Sequence, residues 1–463
     1  MSLIVAIAFF METLDATIIV TAIPQMALDF GTDASRLSMG ITVYLMAAAG
    51  CVTASGWLAD RLGTRTLFCS ALGLFAISSL ICGLAPNFPT FVIGRALQGA
   101  SASMMSPVGR LVVLRTSEKK HLMKSLSALI WPGLIAPVLG PPLGGWITDT
   151  ASWHWIFFVN IPIAALAMLL VARYIPNETR ETGAFDGKGF ILTAAALLCL
   201  TSGLDLLAMR DFSLLQLGIL LLAIASVLGW AALRHMRTVE RPLVQLDALK
   251  VPSFFASSVT GGILSRATIS ATPFLLPLMF QLAFGLSALE AGGMLMLYML
   301  ANLAMKSVTN PIITRLGLRA TLVSGSLLAG ASIALCGFIV PGQHILFNGA
   351  VLLLAGCARS LQLTSVTMVN FADITPDQRQ PASVLASLTQ QIGMGAGVAI
   401  GALLLTLSQM THKAPAFELI DFRLALGITG LLSASAAIFY IRLDPDVGDE
   451  VSGHARYRRR ISP

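Results

Sequence analysis

Long apolar stretches separated by short polar segments recur from one end of the chain to the other. Each stretch is close to the roughly 20 residues with which a helix crosses a bilayer. Fourteen such stretches are present, at residues 3–28, 36–59, 67–85, 89–113, 124–148, 154–175, 189–209, 213–234, 254–281, 287–310, 320–341, 344–370, 381–408 and 421–442. The pattern therefore predicts an all-α, polytopic membrane protein with fourteen spans.

Composition agrees with this pattern, since 56% of the 463 residues are hydrophobic, 11% are charged and the mean hydropathy is +0.81. Ordinary soluble domains have about 45–50% apolar and about 25% charged residues, so the chain is not one of them. A net charge of +7 would suggest a nucleic-acid partner in a soluble protein. Here the basic residues lie in short loops between apolar stretches, so we expect no nucleic-acid partner.

The distribution of Lys and Arg orients the chain in the membrane. With the N-terminus in the cytoplasm, 22 of the 30 lie in cytoplasmic loops or the tail, four lie in the opposite loops and four lie within spans. Basic loops favour the cytoplasmic side, so we expect both termini to be cytoplasmic. The four basic residues within spans are Arg95, Arg266, Lys306 and Arg359.

Neither the cysteines nor the histidines show the spacing of a chemical site. The six cysteines lie in apolar stretches, and the six histidines lie in loops or at the edges of spans. We therefore expect no disulfide, metal, cofactor or catalytic constellation, and the chain is not predicted to be an enzyme. The first apolar run lacks a basic n-region, so we interpret it as a span and not as a cleaved signal.

Two motifs occur twice, which predicts an internal repeat. Asn310–Arg319 repeats the spacing of Gly56–Arg65, and Arg359–Gln362 repeats Arg95–Gln98. Two related six-helix halves are therefore expected, with two extra spans inserted between them. The predicted domains are a first bundle at 1–175, a linker with inserted helices 7 and 8 at 176–253, a second bundle at 254–442 and a basic cytoplasmic tail at 443–463.

The cytoplasmic turn between the second and third spans carries an ordered G-x-x-x-D-R-x-G-x-R pattern. We expect Gly56 to permit close approach of helices and Gly63 to make the turn. Asp60 is expected to pair with Arg61, with Arg65 or with a neighbouring helix end. The pattern favours a gate-like latch between helices over a loop that needs only its arginines.

The fifth span combines prolines with a row of glycines. Its candidate motif residues are Gly133, Gly140, Pro141, Gly144 and Gly145. Proline removes a backbone donor and bends a helix, whereas glycine leaves a smooth face for a neighbouring helix. A simple proline kink is the alternative interpretation.

The first span contains two acids, Glu12 and Asp15, at depths of about 14 and 18 Å in a hydrocarbon layer of ~30 Å. Their Cβ atoms should lie about 5–6 Å apart on one helix face. Two full negative charges would repel there, so we expect one acid to hold a proton near neutral pH. Arg95 should lie near the level of Asp15 as a fixed positive charge whose partner titrates.

Other polar groups within spans are weaker candidates. Arg266 is expected to bind an anionic substrate, to pair with Glu12 or Asp15, or to tie helices together through carbonyl groups. Arg359 repeats Arg95, and Lys306 is expected to snorkel toward the cytoplasm. Further candidates for lining a cavity are Gln25, Gln98, Gln281, Tyr298, Gln390 and Gln391.

These motifs together resemble a known family. The repeated turn pattern resembles the signature loop of the major facilitator superfamily. Leu14–Thr17 with Ala22–Pro24 resembles the first-helix motif of the fourteen-helix drug:proton antiporters of the EmrB/QacA type. Gly140–Gly145 resembles their fifth-helix antiporter motif, and Trp153–Pro162 resembles the loop that follows. Within that family, the chain resembles the branch that contains MdtD and HsrA.

Two positions depart from the family pattern. Val20 stands where the first-helix motif usually has Asn, and Ala136 stands where the fifth-helix motif usually has another Gly. The first change should remove a polar contact, and the second should tighten or tilt a close helix contact. Neither change removes a charged group.

The resemblance implies the major facilitator fold, in which two six-helix bundles rock about a central cavity with helices 7 and 8 packed outside. It places Asp15 and Arg95 at positions implicated in proton coupling. Glu12 is not part of the family motif, so it is either an acid of no consequence or a neighbour that raises the proton affinity of the pair.

The implied function is proton-coupled export of amphipathic organic compounds or drugs, in which the fifth-helix motif supplies the direction of transport. The expected partners are a small-molecule substrate, protons and membrane lipid, and the expected location is the bacterial inner membrane. We expect a monomer without a cofactor and leave a periplasmic adaptor open. The alternatives are a proton-coupled symporter or uniporter of a small metabolite on the same fold, and a sensor that does not transport.

Overall fold

A computed structural model describes residues 2–116, 122–179, 182–207, 212–240, 242–342, 345–375, 378–412, 416–452 and 454. Within these ranges the regular structure is helical and contains no β-strand. Helices are present at all fourteen predicted spans. Twelve helical segments are long and apolar enough to cross a membrane, so the chain is a multi-pass membrane protein. The remaining two predicted spans coincide with helices of 29 residues each, which at 1.5 Å per residue exceed the bilayer core of about 30 Å.

The chain forms two compact units, of which the first contains Met1–Leu243 and Ser287–Gly293. Its helices are α1 (Ser2–Ile18), α2 (Ile23–Asp29), α3 (Ser38–Leu62), α4 (Thr64–Gly83), α5 (Phe88–Thr116), α6 (Leu122–Thr150), α7 (His154–Phe158), α8 (Asn160–Tyr174), α9 (Gly187–Leu207) and α10 (Phe212–Thr238). The first predicted span is thus broken. A 3₁₀ turn at Ile19–Ala22 separates α1 from α2, where Pro24 supplies no N–H to continue the ladder.

The two inserted helices belong to the first unit. Helix α9 packs along α3, where Gly50 lies beside Ala194, and α10 packs on α9. The sequence predicted a separate segment at 176–253, whereas the first unit continues to Leu243. The difference arises because α9 has a bundle helix as its partner.

The second unit contains Val244–Leu286 and Met294–Pro463. Its helices are α11 (Pro252–Phe255), α12 (Gly261–Leu278), α13 (Ala288–Leu316), α14 (Leu318–Cys336), α15 (Ile345–Val369), α16 (Arg379–His412), α17 (Leu419–Ile441) and α18 (Asp449–Ser452). The first residues of α13 lie in the first unit. Two π-helical turns, Ala256–Thr260 and Met279–Ala283, flank α12. Of the predicted basic tail, residues 453 and 455–463 lie outside the described ranges.

Helix pairings agree with the predicted repeat. In the first unit α1 packs on α6 and α3 packs on α5, and in the second unit α12 packs on α16. A Cβ atom on Gly99 of α5 would overlap the carbonyl oxygen of Tyr44 on α3. In the same way, a Cβ atom on Gly356 of α15 would overlap the carbonyl oxygen of Tyr298 on α13. Both units therefore use glycine for one close contact between equivalent helices.

The two signature turns share their backbone geometry. Gly63 ends α3 with φ 89°, and Gly317 ends α13 with φ 80°. Glycine reaches this left-handed region without strain, so the predicted turn at Gly63 is present. The expectation for Gly56 is wrong. A Cβ atom there would meet nothing within 4 Å, so no close helix contact requires this glycine.

Candidate functional site

The centre of the candidate site is the carboxylate of Asp15 on α1. Its exposed fraction is 0%, so no water solvates this carboxylate. Three donors take the place of water. Arg95 Nη1 donates to Oδ2 at 2.8 Å, while Gln98 Nε2 and Asn160 Nδ2 donate to Oδ1 at 2.9 and 2.7 Å. A buried charge requires such pairing, because an unpaired one is very costly.

Helix α5 supplies Arg95 and Gln98 one turn apart, so both reach the same face of α1. Arg95 Nη1 also donates to Gln98 Oε1 at 2.6 Å, and Nε donates to the carbonyl of Gly40 at 3.3 Å. The guanidinium lies 4.4 Å from the ring centroid of Tyr44, an arrangement that stabilises the cation. The position of Arg95 is therefore fixed from α1, α3 and its own helix.

The remaining contacts close the cluster. Gln98 Nε2 donates to Ser79 Oγ at 2.8 Å, which ties α5 to α4. Asn160 is the first residue of α8 and is buried. Four helices besides that of Asp15 thus contribute to one polar network within the first unit, and we call Asp15, Arg95, Gln98 and Asn160 the Asp15 cluster.

The cluster surrounds the Asp15 carboxylate with N–H donors. Arg95, Gln98 and Asn160 each donate one hydrogen bond to it. Asp15 is the one carboxyl group among the four residues of the cluster, and its role in proton exchange stays a prediction.

Glu12, the second acid of the first span, has a different environment. It is half-buried, and Ser106 Oγ on α5 donates to its Oε2 at 2.7 Å. Asp15 is bound by the Asp15 cluster, whereas Glu12 contacts α5 about three turns further along that helix. The structure therefore gives the two acids different partners, and the participation of Glu12 in proton coupling stays a prediction.

Two of the predicted glycines on α6 lie in tight contacts with α1 or the turn that follows it. A Cβ atom on Gly140 would overlap the hydroxyl of Thr17, and one on Gly144 would overlap the carbonyl oxygen of Ile18. Gly133 is looser, because the nearest atom to its Cβ would lie 3.7 Å away. The glycine row thus packs against the end of α1 and the 3₁₀ turn, directly after Asp15.

The same helix contacts the beginning of α13. A Cβ atom on Gly145 would overlap the carbonyl oxygen of Ala288, and one on Gly292 would overlap that of Pro141. Asp149 accepts a hydrogen bond from the backbone N–H of Leu289 at 2.8 Å. Gly145 and Pro141 of the predicted motif therefore lie in a close contact between two helices.

In the second unit, the repeated arginine has no carboxylate partner among the described residues. Arg359 Nη1 donates to the carbonyl of Ile269 at 2.8 Å and lies 3.5 Å from the Tyr298 hydroxyl. Gln362 Nε2 lies within 3.1–3.3 Å of the hydroxyls of Ser265, Ser326 and Ser433. The arrangement repeats that around Arg95 without a titratable acid.

Arg266 follows the third of its predicted alternatives. It is 1% exposed, and its Nη1 donates to the carbonyls of Ser257 and Ser258 at 3.0 and 3.4 Å. With its amide oriented to satisfy both ends, Asn370 accepts from Nη2 at 2.9 Å. These carbonyls belong to the π-helical turn before α12, so Arg266 ties that turn to α15.

The remaining cavity candidates are spread over several helices. Tyr298 is buried beside Arg359, and Gln281 lies half-buried in the second π-helical turn. On α16, Gln390 is exposed and Gln391 is half-buried. Gln25 accepts a hydrogen bond from the backbone N–H of Trp153 at 3.2 Å, which gives it a structural role at the end of α2. The cavity-lining role of these residues stays a prediction.

The first signature turn is held by the segment that follows α8. Asn177 Oδ1 accepts from the backbone N–H of Thr66 at 3.1 Å, and its side chain covers Gly63. Trp57 Nε1 donates to the carbonyl of Gly183 at 2.9 Å, and Arg61 lies 5.2 Å from the Trp57 ring centroid. The predicted latch residues Asp60 and Arg65 lie at this turn, and the gating role itself stays a prediction.

Asp186 anchors the same segment to both inserted helices. Its Oδ1 lies 2.8 Å from His235 Nε2 and accepts from Gly189 N at 2.8 Å, while Oδ2 accepts from Leu243 N at 3.2 Å. Burial raises the pKa of this carboxyl, but the hydrogen bonds from His235 and the two backbone N–H groups outweigh it and hold the pKa below its ordinary value.

Several residues of the Asp15 cluster and its surroundings were missed at the level of sequence. Asn160 lies within a recognised motif, and a polar residue at the start of an apolar span was the available signal. Tyr44 and Ser79 carried no signal beyond being polar within spans. Within the described residues, no group of three or more His, Cys, Asp and Glu is arranged to bind a metal.

Comparison with known proteins agrees with this geometry. A family model described as Major Facilitator Superfamily matches residues 5–368 and 258–463. The chain is 33% identical over 452 residues to MdtD of Pectobacterium atrosepticum, provisionally described as a multidrug resistance protein, covering 96% of this chain and 95% of the relative. It is 34% identical over 410 residues to HsrA of Haemophilus influenzae, provisionally described as a transport protein, covering 87% of each chain.

Two solved structures are similar in fold. A D-xylose–proton symporter superposes with a TM-score of 0.68 at 14% identity, covering 96% of this chain and 98% of that one. A POT family transporter in complex with 5-aminolevulinic acid superposes with a TM-score of 0.70 at 13% identity, covering 96% of both chains. At these identities the likeness concerns the fold alone.

Proposed function

The chain belongs to the major facilitator superfamily, and from that premise we propose that it is a proton-coupled antiporter. It exports amphipathic organic compounds across the bacterial cytoplasmic membrane in exchange for external protons. The observation that carries the proposal is the fully buried Asp15 carboxylate, bound by Arg95, Gln98 and Asn160. The names of the MdtD and HsrA relatives support export and transport in general.

Coupling follows from the chemistry of the Asp15 cluster. A proton on Asp15 removes the negative charge that binds Arg95, and a neutral carboxylic acid accepts hydrogen bonds less strongly than a carboxylate. Helices α1, α5 and α8 are then held together less firmly. Because Asp15 is inaccessible to solvent in this structure, proton exchange takes place in another conformation. Substrate and proton need only favour different conformations to exclude each other.

Helix α6 supports a link between this cluster and a larger movement. Its glycine row packs on α1 within one turn of Asp15, and its end packs on the beginning of α13. Because packed helices change position in discrete steps, a shift of α1 is passed to α6. We propose that this contact gives the fifth-helix motif its role in antiport.

The remaining features of the proposal concern topology and partners. Both termini are cytoplasmic, as the positive-inside distribution favours. The protein acts as a monomer and uses the proton gradient without a cofactor. It carries out no catalysis, and its partners are a small-molecule substrate, protons and lipid.

The experiment begins with a panel of amphipathic compounds, tested on cells with and without the protein and a protonophore. Compounds whose accumulation falls only with protein and without protonophore are then assayed in proteoliposomes with an imposed ΔpH. We expect an inward proton gradient to drive export, and a reversed gradient to reverse the flux. Flux of substrate in the same direction as protons would instead support the symporter alternative.

The decisive variant is Asp15→Asn. Asparagine has the size of aspartate but carries an NH2 donor in place of one carboxylate oxygen, and it cannot exchange a proton. We expect it to abolish ΔpH-driven export. Asp421→Asn is the matched control, because Asp421 is also a fully buried carboxylate and accepts from Ser408 and the backbone of Glu418. Proton-driven export by Asp15→Asn at the wild-type rate would refute the proposal.

A further inference from the structure

We infer that the second unit carries a binding site for an organic anion, formed by Lys306 and Arg359 and flanked by Asn302 and Tyr298. The inference rests on the proposed function only in that the bound anion would be the exported compound. It names the chemical class that the sequence left open, a compound with a carboxylate or a similar oxyanion on an apolar body.

The four residues come together from two helices. Tyr298, Asn302 and Lys306 follow one another at intervals of four residues along α13, so they share one side of that helix. Arg359 reaches this side from α15, with its guanidinium 5.6 Å from the Tyr298 ring centroid. Lys306 and Arg359 each lie ten residues before the end of their helix, at the same depth of about 15 Å.

Among the described residues, no carboxylate lies within ion-pair distance of Lys306 or Arg359, so neither cation is neutralised by this part of the chain. The sequence contains no Asp or Glu in α12, α14, α15, α16 or the part of α13 after Gly293. Two like charges on facing membrane helices repel, and an intramembrane charge is costly without a partner. A bound anion would remove both penalties.

Two buried polar atoms beside the cations also lack a partner. Arg359 Nε and Asn302 Oδ1 have no hydrogen-bond partner within the described chain, whereas buried polar atoms normally do. Tyr298 is 1% exposed and packs behind the Arg359 guanidinium. The protein therefore leaves the hydrogen-bonding capacity of Arg359 partly unused, and a carboxylate is the usual partner of a guanidinium group.

The repeat shows that the fold does not require these groups. In the register that aligns Asn310–Arg319 with Gly56–Arg65, Tyr298 corresponds to Tyr44. In the same register Asn302 and Lys306 correspond to Ala48 and Val52. Since apolar side chains serve at these positions in the first unit, the polar pair in the second unit has a different purpose.

Exposure separates this site from the other arginines within the membrane. Lys306 and Arg359 are only half-buried, so a ligand can reach them. Arg95 and Arg266 are 0% and 1% exposed, and their terminal nitrogens donate to protein acceptors, although Arg266 Nε has no partner within the described chain. Of the four basic residues within the predicted spans, Lys306 and Arg359 are therefore the two that a ligand can reach.

The inference is tested by binding to the full-length protein in nanodiscs, with empty nanodiscs as the blank. Three probes share one naphthalene body and carry a carboxylate, its methyl ester or a primary ammonium group. We expect the carboxylate to bind at least about tenfold more tightly than the ester, and the ammonium probe to bind least. Equal binding of the three probes, or preference for the ammonium, would overturn the inference, and this comparison needs no variant.

Variants then locate the site. Lys306→Gln and Arg359→Gln should each weaken carboxylate binding about tenfold and leave ester binding unchanged, while Lys306→Arg should retain carboxylate binding. Lys250→Gln is the control, since Lys250 is an exposed lysine paired with Asp247. Wild-type carboxylate binding by both Gln variants would refute the assignment.

Failure of the inference and failure of the proposed function are distinguishable. Carboxylate binding without any ΔpH-driven transport would leave the site standing and overturn the antiporter. Export of a neutral or cationic compound that depends on Asp15, together with no preference for the carboxylate probe, would leave the antiporter standing and overturn the site.

Discussion

In the first unit Arg95 donates to the carboxylate of Asp15, whereas in the second unit its counterpart Arg359 donates to the backbone carbonyl of Ile269. Both arginines lie against a tyrosine ring. A backbone carbonyl does not take up a proton at physiological pH, so only the first arrangement can respond to the proton gradient. The repeat has kept the framework and has placed the titratable group on one side alone.

The glutamines differ in the same sense. Gln98 bridges Asp15, Arg95 and Ser79, so it belongs to a charged network. Gln362 faces only serine hydroxyls, and its Oε1 has no partner within the described chain. The first unit therefore holds a charge pair between Arg95 and Asp15, whereas Gln362 of the second unit makes neutral contacts only.

The largest expected effect comes from replacing the two arginines in turn. Arg95→Gln leaves Asp15 buried without its cation. The free energy of unfolding should fall by about 3–5 kcal/mol unless the acid takes up a proton and stays neutral. Transport should no longer respond to ΔpH, a loss of roughly a hundredfold or more at 1.4 kcal/mol per tenfold. Arg359→Gln should keep the ΔpH response at saturating substrate, because this variant weakens substrate binding and leaves the Asp15 cluster intact. The measurement is initial transport rate against ΔpH in proteoliposomes, and equal loss in both variants would contradict the comparison.

Glycines on the fifth helix of each half provide the second test. A Cβ atom on Gly144 would overlap the carbonyl of Ile18, and one on Gly397 of α16 would overlap the carbonyl of Ala267. Either substitution by alanine should destabilise the protein by about 1–3 kcal/mol, measured as a lower Tm. Only Gly144→Ala should also reduce ΔpH-driven transport, because Gly144 packs on Ile18, one turn after Asp15.

The matched control for these glycines is Gly133→Ala. The nearest atom to an added Cβ there lies 3.7 Å away, an ordinary van der Waals contact. We expect its Tm and transport to stay at the wild-type values. A decrease in Tm as large as that of Gly144→Ala would show that the tightness of the contact with α1 is not what makes the glycine row necessary.

Hydropathy and spacing predicted the spans, the repeat, the signature turn at Gly63 and the level at which Asp15 and Arg95 meet. These features depend on distance along a helix, which the rise of 1.5 Å per residue gives directly. Partners such as Asn160 depend on rotation about the helix axis. A mostly apolar helix leaves that rotation undetermined, because neither lipid nor core selects one face by hydrophobicity alone.

Gly56 and Arg266 show the same limit from the other side. The motif predicted close packing at Gly56, yet this residue is exposed and an added Cβ atom would meet nothing within 4 Å. The arginine had three sequence-based explanations, and the π-helical turn that selects among them depends on hydrogen bonding that no residue pattern announced. Chemistry that depends on contacts between distant spans requires the coordinates.

A smaller effect is expected from Asn160→Ala. It removes one of three donors to Asp15, and a hydrogen bond to a charged group is worth about 1.5–3 kcal/mol. Transport at fixed ΔpH should fall roughly tenfold to a hundredfold, less than for Arg95→Gln. Gln362→Ala is the control in the second unit, since it removes neutral contacts only. A larger loss of transport from Gln362→Ala than from Asn160→Ala would show that the network required for coupling lies in the second unit, which contradicts the proposal.

The smallest effect concerns the segments that cover the two signature turns. Asn177 contacts the first turn, and Asp186 anchors the same segment to α9 and α10. In the second unit His454 covers Gly317, and its Nδ1 lies 2.8 Å from the carbonyl of Thr314. Asp186→Asn should lower the free energy of local opening around Gly189 and Leu243 by about 1–3 kcal/mol. It should change the transport rate less than twofold. Hydrogen exchange should rise at the amides of Gly189 and Leu243, and remain unchanged at Gly317.

The pH dependence of this contact has a definite sign. Because the folded pKa of Asp186 lies below its ordinary value of about 3.9, the carboxylate contributes stability above that value and loses it as the pH falls through the folded pKa. Protection of the Gly189 and Leu243 amides, corrected for intrinsic exchange, should therefore stay constant from pH 7 to pH 5. Loss of protection between pH 7 and pH 5 would show that the contacts of Asp186 also depend on pH in this range. The predicted difference between the Asp15 cluster and this segment would then be wrong.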